Sequence, residues 1–356
     1  MKSIKLYMSG KLVKLVILGL ILTSNVLVKA SNKRAILVGV GLQPKDTKWE
    51  DTYAGNDVKV MQESLKNKGF ADVQSLKDEQ ATKEKTIAAL EEAYKKCQEG
   101  DVFLFYFSGH GQLVRDMNAD EPDLYDESLV LFGAPKYYDE AYDFENHLLD
   151  EELSEWLNKI RIKVGSNGEV MLLIDASFTL VEQPKGSNSR GGGKPMDKDS
   201  SLVKEITMTY DIGILDDMAY AAPSNNYAPI NHITAGEMFK PIYDFSENGV
   251  FTLAVSRAFE TISDSTTYND FFESVAAICR EINPNQSPKW EGFMENRVFE
   301  YFSKDENCSF SNILVDLNTE LDETELKTMF SIKENQEKNI NREANKTDWE
   351  KSFFKD

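Results

Sequence analysis

The stretch "DVFLFYFSGHGQ" (residues 101–112) decides the fold. Val102 through Phe107 are all apolar or aromatic, and the run ends at Ser-Gly. A short unbroken apolar run of this kind predicts a strand buried on both faces of a sheet. His110 comes directly after it, between Gly109 and Gly111. Glycine on both sides permits unusual backbone angles and close approach of another group. Histidine can act as a general base or acid near neutral pH. The backbone N–H at Gly111 is a candidate donor to a developing oxyanion.

Working outward, "RAILVGV" (34–40), "ADVQSL" (71–76), "ESLVLFG" (127–133), "EVMLLIDAS" (169–177) and "DDMAYAAP" (216–223) read as further strands, six in all. Between them, "NDVKVMQESLKNKG" (56–69) and "TKEKTIAALEEAYKKCQEG" (82–100) carry helical periodicity and stop at glycine. "LLDEELSEWLNKIR" (148–161), "GVFTLAVSRAFE" (249–260) and "TYNDFFESVAAICREI" (267–282) also read as helices. Strands alternating with helices predict an α/β fold with a mostly parallel six-stranded sheet covered on both faces. Residues 182–199 are rich in Gly, Ser, Pro and Lys and predict a flexible loop.

The chain has 356 residues, with 60 acidic and 40 basic side chains and a net charge of -20. So acidic a surface repels phosphate backbones and argues against nucleic acid as a partner. The first 30 residues differ: Lys2, Lys5, Lys11, Lys14 and Lys29 flank the apolar run "LVILGLIL" (15–22), and Ala30 follows. This is the pattern of a signal peptide (1–30), its apolar run too short for a comfortable membrane span, with an uncleaved anchor as the alternative. A secreted or periplasmic protein with no membrane attachment after cleavage is expected. The expected organisation is a core domain over 31–300 and a charged C-terminal extension over 301–356. Cys97, Cys279 and Cys308 do not make a disulfide framework, and none lies at a strand end beside His110. Cys97 and Cys279 are expected to be buried packing residues.

Ligands of a parallel sheet bind beyond the carboxyl ends of the strands. Two more features collect there. "VMLLIDASFTL" (170–180) puts Asp175 and Ser177 at the end of one strand. "YAGNDV" (53–58) puts Asp57 in the turn leading into the first helix.

In this order the segments resemble the caspase-like cysteine peptidases, nearest to the metacaspase branch of peptidase family C14. The resemblance runs over about residues 33–295 and rests chiefly on "FYFSGHG", with "YAGNDVKVMQ", "DEPDLYDESLV", "LLDEELSEWL" and "NQSPKWEG" collinear. It implies a caspase-like three-layer sandwich and a His–Cys dyad, with His110 as the base and Gly111 at the oxyanion. The family's nucleophile pattern is close to Asp-x-Cys-His-Ser-Gly. Here it reads Asp175-Ala176-Ser177-Phe178-Thr179-Leu180. The Asp is kept, the nucleophile position is Ser177, and the residues after it also differ. A serine hydroxyl needs a well-placed and oriented base, and the sequence offers His110 no acidic partner. The expectation is a pseudo-peptidase. An active Ser177–His110 endopeptidase and a non-catalytic interaction module, working through the tail from 303 onward, are the alternatives.

The resemblance also implies a pocket for Arg or Lys side chains of a peptide or protein partner, built from Asp57 and Asp175. Read alone, Asp57 could cap its helix and Asp175 could bind a loop. Lys185, Arg190, Lys194 and Lys198 fall where members of the family are often cut into two subunits. Some members require calcium, for which Asp116, Asp120, Glu121, Asp123, Asp126 and Glu127 are candidates. Their spacing departs from an EF-hand loop. No metal ligand or cofactor is otherwise assigned, and nothing in the residues sets the oligomeric state.

Overall fold

The structure is a computed structural model, and it describes residues 31–116, 125–179, 184, 186, 189–191, 193–198, 227–237 and 240–299. Residues 1–30, where a signal peptide is expected, the tail from 301, Cys308 and parts of the loop over 182–199 lie outside the described residues. Five parallel strands form the centre of the main sheet: β1 (Lys33–Gly39), β2 (Asp72–Lys77), β3 (Val102–Ser108), β7 (Glu169–Asp175) and β9 (Ile230–Thr234). A short antiparallel strand, β12 (Lys289–Glu291), closes one edge, giving the order β12-β9-β7-β3-β1-β2. The expected six-stranded, mostly parallel sheet is present.

One expected member is different. The run at 127–133 belongs to β5 (Tyr125–Val130), which pairs with β4 (Gly111–Arg115) and β6 (His147–Leu149) in a separate antiparallel sheet. Full burial of β5 explains the misplacement, because an apolar run looks the same in either sheet. The segment 216–223 lies outside the described residues. A strand of the main sheet that the sequence reading did not mark is β9, "INHIT", whose Asn231 and His232 interrupt the apolar pattern.

The sheet is buried on both sides because its strands alternate between two cores. Phe103, Phe105 and Phe107 pack with Leu90, Leu153 and Leu157 on one face. These leucines come from α2 (Lys83–Lys96) and α3 (Asp150–Val164). Leu104 and Tyr106 pack on the other face with Met61, Val255 and Phe271. Those come from α1 (Ala54–Asn67), α4 (Val250–Thr261) and α5 (Tyr268–Ile282). Each fully buried Phe or Leu contributes roughly 1.5–3 kcal/mol of transfer free energy. Helix starts are held by local caps: Thr82 accepts from the Lys85 N–H, and Thr267 and Asp270 form a reciprocal capping box. Cys97 and Cys279 are buried free thiols in these two cores, as expected.

Two short ribbons complete the site end. β8 (Ser189–Arg190) pairs antiparallel with β10 (Ile242–Phe245), and β10 turns back into β11 (Asn248–Gly249) just before α4. No helix among the described residues is long and apolar enough to cross a membrane.

Candidate active site

Strand ends bring the site together. Ser108 and Asp175 are register partners at the carboxyl ends of β3 and β7. Asp57 lies in the first turn of α1, and its side chain is fully buried. Between the carboxylates of Asp57 and Asp175 sits the guanidinium of Arg190, carried in by β8 and also fully buried. Arg190 Nη2 donates to Asp57 Oδ2 at 2.6 Å. Its Nη1 donates to Ser108 Oγ at 2.6 Å and lies 3.3 Å from both Asp175 Oδ2 and the Asp175 carbonyl. Its Nε donates to Oδ1 of Asp244 at 2.7 Å, and Nη2 reaches the same oxygen.

The carboxylates are themselves fixed. Asp57 Oδ1 accepts from Asn248 Nδ2 at 3.0 Å and from the Gly249 N–H at 2.9 Å, while Oδ2 accepts from Ser108 Oγ at 2.8 Å. Asp175 Oδ2 accepts from the Thr252 N–H at 3.1 Å and from Thr252 Oγ1 at 2.5 Å. With its proton committed to Asp175, Thr252 Oγ1 accepts from the Tyr106 hydroxyl at 2.6 Å. Thr252 is in the first turn of α4, so Asp175 also meets the positive end of that helix. Gly249 is required here by space: a Cβ at this position would stand 2.8 Å from Arg190 Nη2.

Charge and burial oppose each other in this pocket. Burial pushes the Asp175 carboxyl up to about 6; Arg190 pulls it down and Asp57 pushes it further up. Asp244 is raised for the same leading reason, burial, against the pull of Arg190. Burial works against the Arg190 charge, but Asp175, Asp57 and Asp244 together hold it well above the usual arginine range. A lone charge could not remain in such a place, so the arginine and its carboxylates depend on one another.

His110 lies beside this pocket at the β3–β4 turn and is almost fully buried. Its ring stacks on Trp49, with centroids 4.6 Å apart and planes at 25°. Nε2 is 2.8 Å from the Glu50 carbonyl, which can only accept, so Nε2 carries the proton. Nδ1 is then the acceptor, and it takes the N–H of Gly191 at 3.1 Å. Burial first, then the nearby Lys136 and Arg190 charges, lower the His110 pKa to about 4, with the Glu50 hydrogen bond opposing. The imidazole is therefore neutral at pH 7. The orienting group that the sequence lacked is a backbone carbonyl.

Ser177 is buried two residues past the end of β7. Its hydroxyl donates to the Lys240 carbonyl at 2.8 Å, so its proton does not point at His110. Gly191 bridges the two residues: its N–H meets His110, and a Cβ built on it would lie 3.3 Å from Ser177 Oγ. Gly111 sits opposite Leu129 in the β4–β5 ladder, and Val130 N–H bonds to the His110 carbonyl one step before it. Hydrogen-bonded pairs alternate along such a ladder, which leaves the Gly111 N–H outside it. The Phe178 ring packs on Gly111; a Cβ there would be 2.7 Å from Phe178 Cε1 and 2.8 Å from the Ser177 carbonyl.

The structure thus brings together His110, Gly111, Ser177, Asp57 and Asp175. Asp57 forms no cap on its own helix and bonds Ser108, Arg190, Asn248 and Gly249 instead, and Asp175 bonds a helix N-terminus as well as the loop arginine. Sequence reasoning missed Asp244, Glu50, Lys240 and Trp49. Only Ser108, inside the quoted "FYFSGHG", carried a visible signal. The acidic run proposed for calcium is only partly described: Asp120, Glu121 and Asp123 lie outside the described residues. Asp116, Asp126 and Glu127 are buried around the β4–β5 ribbon. Among the described residues, no group of three or more His, Cys, Asp or Glu side chains is arranged to hold a metal ion.

Comparison with known proteins follows the same lines. Residues 32–336 match the family model for the caspase domain, Peptidase C14. A metacaspase-1 of Meyerozyma guilliermondii is 26% identical over 133 residues, 35% of this chain and 30% of that protein. Metacaspase-2 of Arabidopsis thaliana is 36% identical over 107 residues, 28% of this chain and 25% of that protein. Metacaspase-1 of the same plant is 34% identical over 133 residues, 34% of this chain and 33% of that protein. The matches therefore span a third or less of the curated relatives' length. The crystal structure of a protein from Geobacter sulfurreducens aligns with a TM-score of 0.53 and 22% identity. That alignment covers 75% of this chain and 98% of the other, and it supports the fold.

Proposed function

From the premise that this chain belongs to the caspase-domain family, Peptidase C14, we propose that it is an exported pseudo-peptidase that binds basic side chains of peptides or proteins. The observation that carries this is the Arg190 guanidinium held between Asp57, Asp175 and Asp244, away from solvent. A pocket that holds one guanidinium with charge-assisted hydrogen bonds on every side is complementary to others like it. Arg190 is its resident occupant, so an outside ligand must displace the Ser189–Arg190 segment first.

Support for weak or absent catalysis comes from Ser177 and His110. The serine proton is spent on the Lys240 carbonyl. His110 is held neutral with a pKa near 4, far from the value that suits a base at pH 7. A hydroxyl without an activating base is a poor nucleophile.

One observation favours the second reading, an active Ser177 endopeptidase. The Arg190–Gly191 peptide N–H is bonded to His110 Nδ1, where a leaving amine would collect its proton. In that reading, Ser177 Oγ attacks the Arg190 carbonyl carbon and its proton passes through His110 to the Gly191 nitrogen as the C–N bond breaks.

Hydrolysis of Arg- and Lys-ended fluorogenic peptides by the chain from Ser31, with and without calcium, separates the two. No turnover in the native chain is expected. Turnover that disappears in His110→Ala would establish the serine peptidase instead.

A further inference from the structure

We propose that Asp244 makes this pocket selective for arginine over lysine, by reading the guanidinium Nε–H. The proposal rests on the basic-pocket reading above and narrows its ligand to one side chain.

Asp57 and Asp175 face the tip of the bound side chain and meet Nη2 and Nη1. A lysine ammonium could satisfy either of them, because both contacts lie at the end of the chain. Asp244 approaches from the side. Its Oδ1 bridges Nε and Nη2, a contact that needs two N–H groups on one edge of a planar fork. Lysine has no donor at the Nε position. An ammonium in this pocket would leave at least one buried carboxylate oxygen without its hydrogen bond, and orphaned buried groups are costly.

The position of Asp244 is built into the ribbon. Arg190 pairs with Ile242 across β8 and β10, and Asp244 stands two residues on, on the same face as Ile242. The Tyr53 N–H donates to Asp244 Oδ2 at 3.2 Å, which leaves Oδ1 aimed at the guanidinium. The other carboxylates have different anchors: Asp57 is tied to Asn248 and Gly249, and Asp175 to Thr252. Asp244 is therefore a separate element of recognition. An incoming peptide would add a short antiparallel strand along β10, where Ser189–Arg190 now lies, with its arginine side chain turned into the pocket.

The test empties the pocket and refills it. The chain from Ser31 carrying Arg190→Ala is titrated with a fluorescent peptide of residues 186–193, and with the same peptide bearing lysine at the arginine position. The arginine peptide is expected to bind on the order of tenfold or more tightly than the lysine peptide, as one lost charge-assisted hydrogen bond implies. Adding Asp244→Asn should reduce that ratio to about threefold or less. Equal binding of both peptides with Asp244 intact would overturn the selectivity and leave the basic-pocket reading standing. Failure of both peptides to bind a folded Arg190→Ala chain would overturn both.

A second measurement does not require an empty pocket. Arg190→Lys is made in the native chain and in the Asp244→Asn background, and unfolding by urea is followed. The change is expected to lower the folding constant on the order of tenfold more in the native background. An equal loss in both backgrounds would overturn the proposal.

Discussion

The backbone N–H of Gly191 donates to Nδ1 of His110 across 3.1 Å, while Nε2 of the same ring is held by the Glu50 carbonyl at 2.8 Å. One nitrogen of a neutral imidazole donates and the other accepts, so these two backbone groups fix the tautomer. They also place the Arg190–Gly191 peptide bond against the histidine.

The protonation state of His110 is directly measurable. Nitrogen-15 NMR of the labelled chain is expected to show the Nε2–H tautomer and no titration of His110 between pH 8 and pH 5. Its pKa of about 4 follows first from burial. A midpoint near the ordinary value of about 6.5 would contradict the buried, doubly bonded ring.

Replacing the serine tests what Ser177 withholds. A thiol is a weak hydrogen-bond donor, so in Ser177→Cys the hold of the Lys240 carbonyl is loosened. A thiol also ionises far more readily than a hydroxyl, with an unperturbed pKa of about 8.5. The variant is expected to cut its own Arg190–Gly191 bond, leaving a new N-terminus at Gly191 detectable by mass spectrometry. The native chain and Ser177→Cys combined with Arg190→Ala should both stay whole. An uncut Ser177→Cys chain would place the deficit beyond the nucleophile.

Gly111 has no room for a side chain. A methyl group there would meet the Phe178 ring and the Ser177 carbonyl inside van der Waals distance. Gly111→Ala is expected to cost roughly 1–3 kcal/mol of stability in urea unfolding. Adding Phe178→Ala should not restore it, since the Ser177 carbonyl is backbone and cannot swing away. A neutral Gly111→Ala would mean that Phe178 and the strand end are loosely packed.

The other end of the sheet carries a pH dependence of its own. Glu169, at the start of β7, is buried, and that burial pushes its pKa up to about 8 against the pull of Lys33. Its folded pKa exceeds its unfolded one, so the folded state keeps a proton that the unfolded state releases. Stability from this group is complete below about pH 4.5 and is lost as pH rises to about 8. Relative to Glu169→Gln, the native chain should lose roughly 1.4 kcal/mol per pH unit across that window. Parallel stability curves for the two chains would refute it.

Much of this architecture was legible from residues alone. Unbroken apolar runs ending at Ser-Gly or Asp-Ala-Ser predict strands buried on both faces, and helical stretches stopping at glycine fill the gaps between them. His110, Ser177, Asp57 and Asp175 stand at the ends of those elements, where a parallel sheet places its ligands. Local signals of this kind act over a few residues, which is why a sequence displays them. Tertiary structure decided the rest. β5 left the main sheet because burial on both faces looks alike in either sheet. Glu50 and Lys240 act through backbone carbonyls, which every residue has and no sequence marks. Arg190 read as one of four candidate cleavage sites in a flexible loop, and Asp244 as one acid among 60. They meet because β8 pairs with β10 across 54 residues of chain, and only that pairing sets a guanidinium against three carboxylates.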